Sequence, residues 1–584
     1  MSTETARTSE FITITQTFDG EQVDVVYKQA RRPPDIGEGG DDEFAGNGYL
    51  GYCPPFQTRS YEAAPGIVCD QDQPVVLRDG TTIYTDIYRP DTDVPVPVIL
   101  SWSFFGKRPG DGLTQWNVKG VPPETISLMA KFESVDPGYW CHHGYAVANV
   151  DPRGVGHSEG DISVHGSQDA RDGYDFVEWV AEQPWCNGKV GMAGNSGVAV
   201  TQWAIAAQQP PHLACIAPWE GTFDLFNEAI YEGGVPGLTF HSILVDLLSG
   251  PNLVEDVGEM ARRYPFFNNY WRDKVADFAK ITVPAYITAG WSHIHLHGAF
   301  EGFRHAASTR KWIRAHRDFE WPDMYSPDNL EDLKRFYDRY LKDIHNGWEL
   351  TPPVRLEVMD AFDCDYQVDR AEREFPLART QYEKLYLDAA SGSLSAHPIE
   401  TESNTSYDAA EGLVTFDMTF EQDTELTGYL ALRLFVEADG NDEIDLFVNI
   451  QKLSTTGEWL PTSVLGHPHP GAWGKIRASR RALDEAKSTD YHPVLAQQSE
   501  VKLRQDEIVA LDVPIWPTSR IWHAGQQIRV QISGHYIRED WFEPLTWQTS
   551  NKGRHVLYTG GRHQSHLLIP VIPPRYRDGG YTYR

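Results

Sequence analysis

Basic residues are the scarce class in this 584-residue chain: 51 Lys and Arg stand against 83 Asp and Glu, a formal charge of −32. A surface of that sign repels phosphate backbones and anionic head groups, so no nucleic acid and no membrane partner is expected. Cysteine is rarer still. The six (Cys53, Cys69, Cys141, Cys186, Cys215, Cys364) show no C-x-x-C spacing, which argues against a zinc knuckle or redox pair and for free thiols. Apolar runs of about 18 residues, the length a membrane helix needs, are missing too. The opening text MSTETARTSEFITITQ has neither the basic nor the apolar region of a signal peptide. A soluble, cytoplasmic protein is the expectation. Internal repeats and low-complexity tracts are also lacking.

Aromatic residues, by contrast, are plentiful. With 18 Trp, 27 Tyr and 25 Phe in a composition that is 41% hydrophobic and 23% charged, the chain has ample apolar area for folding. At roughly 100–200 residues per domain, its length implies two to four domains. Residues 1–70 are polar, Gly- and Asp-rich around GEGGDDEFAGNG, and read as an extension. From Val75 onward, strand-like runs (VPVILSWSFF, GYAVANVD, KVGMAG, LACIAP, AYITAG) alternate with helix-like text such as QDARDGYDFVEWVAEQ. That alternation predicts a mostly parallel sheet covered on both faces. Residues 219–284 break the rhythm with aromatic, helix-like text, expected to form a cap over the carboxyl edge of the sheet. After about residue 350, alternating strands such as LRLFVEA and QIRVQISG predict an all-β sandwich. The predicted organisation is an extension (1–70), an α/β-hydrolase domain (71–218 and 285–350), a helical cap (219–284) and a jelly-roll β-sandwich (351–584).

The chemistry centres on KVGMAGNSGVAVTQW. Ser196 lies between a β-like and a helix-like run, with Gly194 two before it and Gly197 after it, as a nucleophile on a strained strand-to-helix turn requires. The Gly197 amide, at the helix start, would face a developing oxyanion. Val198 stands where the common G-x-S-x-G pattern has its last glycine.

Together with NVDPRGVGHSEGD upstream, TAGW (288–291) and KWIRAH (311–316) downstream, and RASRRALD (477–484) and GRHQSHLLIPVIP (561–573) in the β-rich part, the chain resembles the cocaine esterase-like (CocE/NonD) serine hydrolases. These are related to X-prolyl dipeptidyl peptidases and α-amino-acid ester hydrolases. The resemblance runs from about Val75 to Pro570. It implies an acyl-serine mechanism on a small-molecule ester or amide without cofactor or metal, with Ser196 as nucleophile and His316 as general base. The acid of the resemblance falls on His293, which cannot orient a second histidine as a carboxylate does. Glu220 is the expected substitute, with Asp224, Asp318 and Glu320 as competitors. Phe105 occupies the position of the family's oxyanion tyrosine. Phe105, Trp219, Trp291 and His293 are the expected substrate contacts. His293, His295 and His297 alternate and would share one face on a strand as zinc ligands can, but carboxylate partners at metal spacing are missing nearby, so no metal is expected. The altered positions keep two other classes open: an acyltransferase or cyclase on the same scaffold, and an inert binding protein. A homo-oligomer also stays open.

Overall fold

The computed structural model describes residues 11–31, 56–108, 120–537 and 546–574. Cys53 and the GEGGDDEFAGNG text lie outside them. The other five cysteines are free thiols, four of them buried.

The sheet that positions the site is built from β3 (Arg59–Ala64), β4 (Ile67–Val76), β5 (Thr82–Pro90), β6 (Val96–Trp102), β7 (Ala146–Asp151), β8 (Cys186–Asn195), β9 (Leu213–Trp219), β11 (Ala285–Gly290), β12 (Lys311–His316), β13 (Val354–Met359) and β14 (Asp365–Glu372). Their pairings give the order β3-β4-β5-β7-β6-β8-β9-β11-β12-β13-β14, parallel from β7 to β13 and antiparallel at both flanks. Every residue of β6, β7 and β11 is buried, as parallel strands covered on two faces require. Along β6 the side chains alternate between two cores. Val98, Leu100 and Trp102 pack with α1 (Ser167–Ala181) and α2 (Ser196–Ala207), while Ile99 joins the opposite core with α5 (Pro327–Leu341). Strand order reverses around β6, whose successor β7 lies on one side and β8 on the other. The loops after β6 and β8 therefore open at a switch point, where ligands bind in such sheets.

Between β9 and β11 the chain leaves the sheet. It forms α3 (Leu238–Leu247), the short strand β10 (Leu253–Glu255) and several single-turn helices, which share a core of Phe226, Tyr270 and Trp271. Residues 12–29, expected as part of an irregular extension, instead form a hairpin of β1 (Ile12–Phe18) and β2 (Glu21–Gln29) whose second strand pairs with β10. Val23, Val25 and Val26 of β2 enter the cap core directly. Their alternation is visible in EQVDVVYKQ, but its apolar face has a partner only once the cap is folded. α4 (Leu296–His305) follows β11.

Beyond β14 the chain forms a jelly-roll β-sandwich. Thr424–Asp439 pairs with Val509–Trp522 in one layer, and Asp445–Leu453 pairs with Gln527–Ser533 in the other. A core including Leu432, Val448, Leu511 and Val530 fills the space between the layers. Among the described residues, strands of the two sheet systems pair at Met359 opposite Arg520. No helix among the described residues is long and apolar enough to cross a membrane.

Val25 is fully buried where the hairpin meets the cap. Val25→Asp puts an unpaired carboxylate there and should cost about 3 kcal/mol or more, read as a lower denaturant midpoint. An unchanged midpoint would show that the hairpin is not part of the cap core.

Candidate active site

Ser196 begins α2 with a left-handed backbone, φ +53°. The turn is possible because of what surrounds it. A Cβ on Gly194, itself at φ +139°, would lie 2.3 Å from Val198 Cγ1 and 2.8 Å from the Glu133 carbonyl oxygen, so Gly194 makes the room that buried Val198 occupies. The Asn195 amide donates to that same carbonyl at 3.1 Å, tying the elbow to the neighbouring loop. A Cβ on Gly197 would meet Phe104 at 2.8 Å, so the bare backbone there is a packing requirement. Within the first turn of the helix, the Gly197 amide has no intrahelical acceptor and lines the cleft above the serine.

The serine hydroxyl lies 3.0 Å from Nε2 of His295, and Nδ1 of His295 lies 2.7 Å from the Thr222 hydroxyl. This corrects the expectation for His316. His316 ends β12 as foreseen, but its Nε2 is 3.0 Å from Glu220 Oε1 and 3.4 Å from Asp323 Oδ2. Its Nδ1 faces the Asp318 carbonyl at 3.1 Å. The physical reason lies in the turn after β11, which caps α4 with His295 and so swings that ring into the cleft.

Glu220 also has a left-handed backbone, φ +57°, and is completely buried. Its Oε2 is 2.9 Å from Nδ1 of His293, whose Nε2 is 3.3 Å from Glu320 Oε1. The contacts to His293 and His316 are at ion-pair distance without hydrogen-bond alignment. Burial by itself would push the Glu220 carboxyl up, but His293 and His316 outweigh it and hold the group well below the usual range. Burial likewise opposes charge on His293, yet Glu320 and Glu220 raise it to about 10. Asp323 and Glu220 raise His316 against its own burial. His295 moves the opposite way: burial, and then the charge of His293, hold it well below an ordinary imidazole. The site thus pairs a neutral imidazole at the serine with a charged cluster behind it.

Trp219 and Trp291, expected as substrate contacts, are core residues. Trp219 packs near Tyr286 under Arg314, and Trp291 stacks on Phe300 and donates to the Glu357 carbonyl at 3.0 Å. Trp219 ends β9 and Trp291 follows β11, and each packs into a core beside the sheet. Phe105 and His293 do line the cleft. Among the competing acids, Asp224 holds Asn227, Asp318 pairs with Arg317, and Glu320 belongs to the His293 cluster.

The cleft spans roughly 1720 Å³ including its mouth and is mostly apolar. Phe104, Phe105 and Phe132 line the hydrolase side, Phe240 and Leu244 of α3 the cap, and Trp473, Trp516 and Trp547 the sandwich. Sequence reasoning missed Thr222, His165 and the sandwich tryptophans. His295 was visible only as one of three alternating histidines. The three rings have different partners: His293 faces Glu220 and Glu320, His295 faces Ser196 and Thr222, and His297 faces Glu228 and His492. A different set, His297, Glu301 and His492, brings ligand atoms within 4.8 Å of one another. Their atoms are engaged: His297 with Glu228 (3.2 Å) and His492 (3.1 Å), Glu301 with Tyr429 (2.5 Å) and Arg304 (2.7 Å). The guanidinium on the same carboxylate oxygen opposes a cation there.

A serine on the strand-to-helix elbow of an α/β-hydrolase sheet, with an imidazole in hydrogen-bond reach, defines a serine hydrolase. Residues 79–317 match the model of the X-Pro dipeptidyl-peptidase (S15 family), and residues 346–568 match its C-terminal non-catalytic domain. A solved CocE/NonD family hydrolase from Staphylococcus aureus is 35% identical, superposes with a TM-score of 0.82, and is covered over 94% of its length by 87% of this chain. The chain belongs to the CocE/NonD hydrolase family, with the serine-hydrolase activity that defines it. It is also 25% identical to the cocaine esterase of Rhodococcus sp. (strain MB1 Bresler), over 85% of this chain and 97% of that one. An α-amino acid ester hydrolase, 15% identical with a TM-score of 0.66 over 92% of this chain and 100% of that one, shares the fold.

Glu220→Gln removes the charge between His293 and His316 and should destabilise the protein by about 3–5 kcal/mol near neutral pH. The Glu220 contribution arises because its folded pKa lies below the unfolded value. It is therefore present above about pH 4.5 and is lost as pH falls toward the folded value. The gap between wild type and variant should narrow in acid. A pH-independent gap in denaturant titrations would contradict the charged cluster.

Proposed function

We propose that this hydrolase cleaves small, neutral, largely apolar esters, with Ser196 as nucleophile and His295 as general base. The 3.0 Å contact between the Ser196 hydroxyl and His295 Nε2 carries the reading. Ser196 Oγ attacks the ester carbonyl carbon while its proton passes to His295 Nε2. The carbonyl oxygen takes the negative charge beside the Gly197 amide at the helix N-terminus. Collapse expels the alcohol, protonated by His295, and leaves the acyl-serine. Water then repeats the sequence, with His295 taking its proton, and releases the acid. Thr222 fixes the tautomer by accepting the Nδ1 hydrogen. As a neutral hydroxyl it stabilises an imidazolium less than a carboxylate does, in keeping with the low proton affinity of His295. The apolar cleft favours a bulky acyl or alcohol group. The names of relatives, a cocaine esterase and putative serine esterases, support an ester over a peptide.

A fluorophosphonate probe should add its mass to the peptide containing Ser196, and His295→Ala should slow acylation at least about 100-fold. His316→Ala should leave measurable acylation in whatever protein folds. Loss of acylation in folded His316→Ala together with retention in His295→Ala would overturn the assignment.

The pH profile gives an independent test. A base is active when unprotonated, and His295 is held well below 6.5, so the acidic limb of kcat/KM should fall clearly below pH 6.5. A midpoint at or above 6.5 would point to a different base.

A further inference from the structure

Two imidazoles in the cleft are left over once the Ser196 and His293 clusters are assigned. His165, in the loop between β7 and α1, and His241, on α3 of the cap, are 7% and 6% exposed, and both line the same cavity as Ser196. Among the described residues, Nδ1 of each has no hydrogen-bond partner, and neither ring takes part in an ion pair. Their side-chain neighbours are the rings of Phe104 (5.3 Å) and Phe240 (5.2 Å). A buried imidazole nitrogen without a hydrogen-bond partner costs free energy that a ligand can recover.

The backbone gives a second, independent sign. His165 has φ +59°, a left-handed conformation that costs a non-glycine residue about 1–3 kcal/mol and that collects at functional sites. The cap clamps this loop in place. Lys274, itself paired with Glu255 at 2.8 Å, donates to the His165 carbonyl at 3.3 Å, and Asp273 accepts from the Ser167 amide at 3.1 Å. A strained residue is thus held so that its ring faces the cavity.

We infer that His165 and His241 form a recognition pair for a neutral oxygen function, a hydroxyl or ketone, on the otherwise apolar ester. This deepens the reading under Proposed function and rests on it. A neutral imidazole can donate through one nitrogen and accept through the other, which suits a hydroxyl best. Burial holds both rings neutral, at about 3 for His165 and about 4 for His241, so they offer no positive charge to an anion. The cleft carboxylates are engaged and compete poorly for an ammonium. Glu228 holds His297 and two backbone amides, Glu232 pairs with Lys475, and Glu320 lies against His293. Among the described residues, the cleft atoms without a hydrogen-bond partner include Nδ1 of both imidazoles and Nε1 of Trp547, and of these only the imidazoles can accept as well as donate.

The test uses p-nitrophenyl esters of arylalkanoic acids, each compared with analogues hydroxylated at successive positions. Wild type should prefer one hydroxylated ester over its parent by about 100-fold or more in kcat/KM, since a site built around a hydroxyl rejects its absence strongly. His165→Phe and His241→Phe should each reduce that ratio at least tenfold. His165→Gln and His241→Gln, which restore an amide near the ring edge, should recover most of it. Phosphonate labelling of Ser196 reports folding and the catalytic reading separately. Labelled wild type with a flat ratio across the series, which needs no variant to measure, overturns the recognition pair alone. A preference untouched by the Phe variants does the same. Unlabelled Ser196 in folded wild type would overturn the catalytic reading first.

Discussion

Ser196 must hold a left-handed backbone at the end of a buried parallel strand, and the site is arranged around that demand. The conformation is affordable only because Gly194 has no side chain, Val198 fills the space so released, and the Glu133 carbonyl anchors the Asn195 amide. Once fixed, the turn raises the hydroxyl past the sheet edge and points the first amides of α2 at the same spot. Glu133, His165 and Glu220 share this strained geometry around the cleft. Such residues persist where surrounding structure over-determines them, and here two parallel strands, the cap clamp and the buried ion cluster supply that constraint.

Electrostatically the site has two layers. Behind the serine, His293, Glu220, His316, Asp323 and Arg314 are all buried, and their charges compensate one another at short range. In front, His295 carries no counter-charge at its far nitrogen, only the Thr222 hydroxyl. The layers are connected, because positive His293 further disfavours a proton on His295. A carboxylate at that nitrogen would raise the proton affinity of His295. Here the carboxylate is one layer back, spent on two other histidines.

Much of the architecture was legible in the sequence because it depends on periodic patterns. The buried runs of β6, β7 and β11, the elbow around Ser196 and the alternating strands after residue 350 all show in local text. What escaped was decided by direction rather than pattern. His295 follows β11 and His316 ends β12, and the path of the turn into α4 determines which ring reaches Ser196. Trp219 and Trp291 look like pocket aromatics until the strand register turns them inward. The hairpin of residues 12–29 gave no sign of its destination, because its apolar face is completed by residues more than 200 positions away. Thr222 carried no signal either, since a threonine after a strand is ordinary text.

The sandwich domain contributes no atom to the Ser196–His295 pair, yet Trp473, Trp516 and Trp547 form part of the cleft wall. The serine–histidine contact and part of the cleft wall are therefore encoded in separate stretches of the chain. Substitutions in the carboxyl-terminal third can re-cut the shape of the cleft while Ser196 and His295 stay untouched.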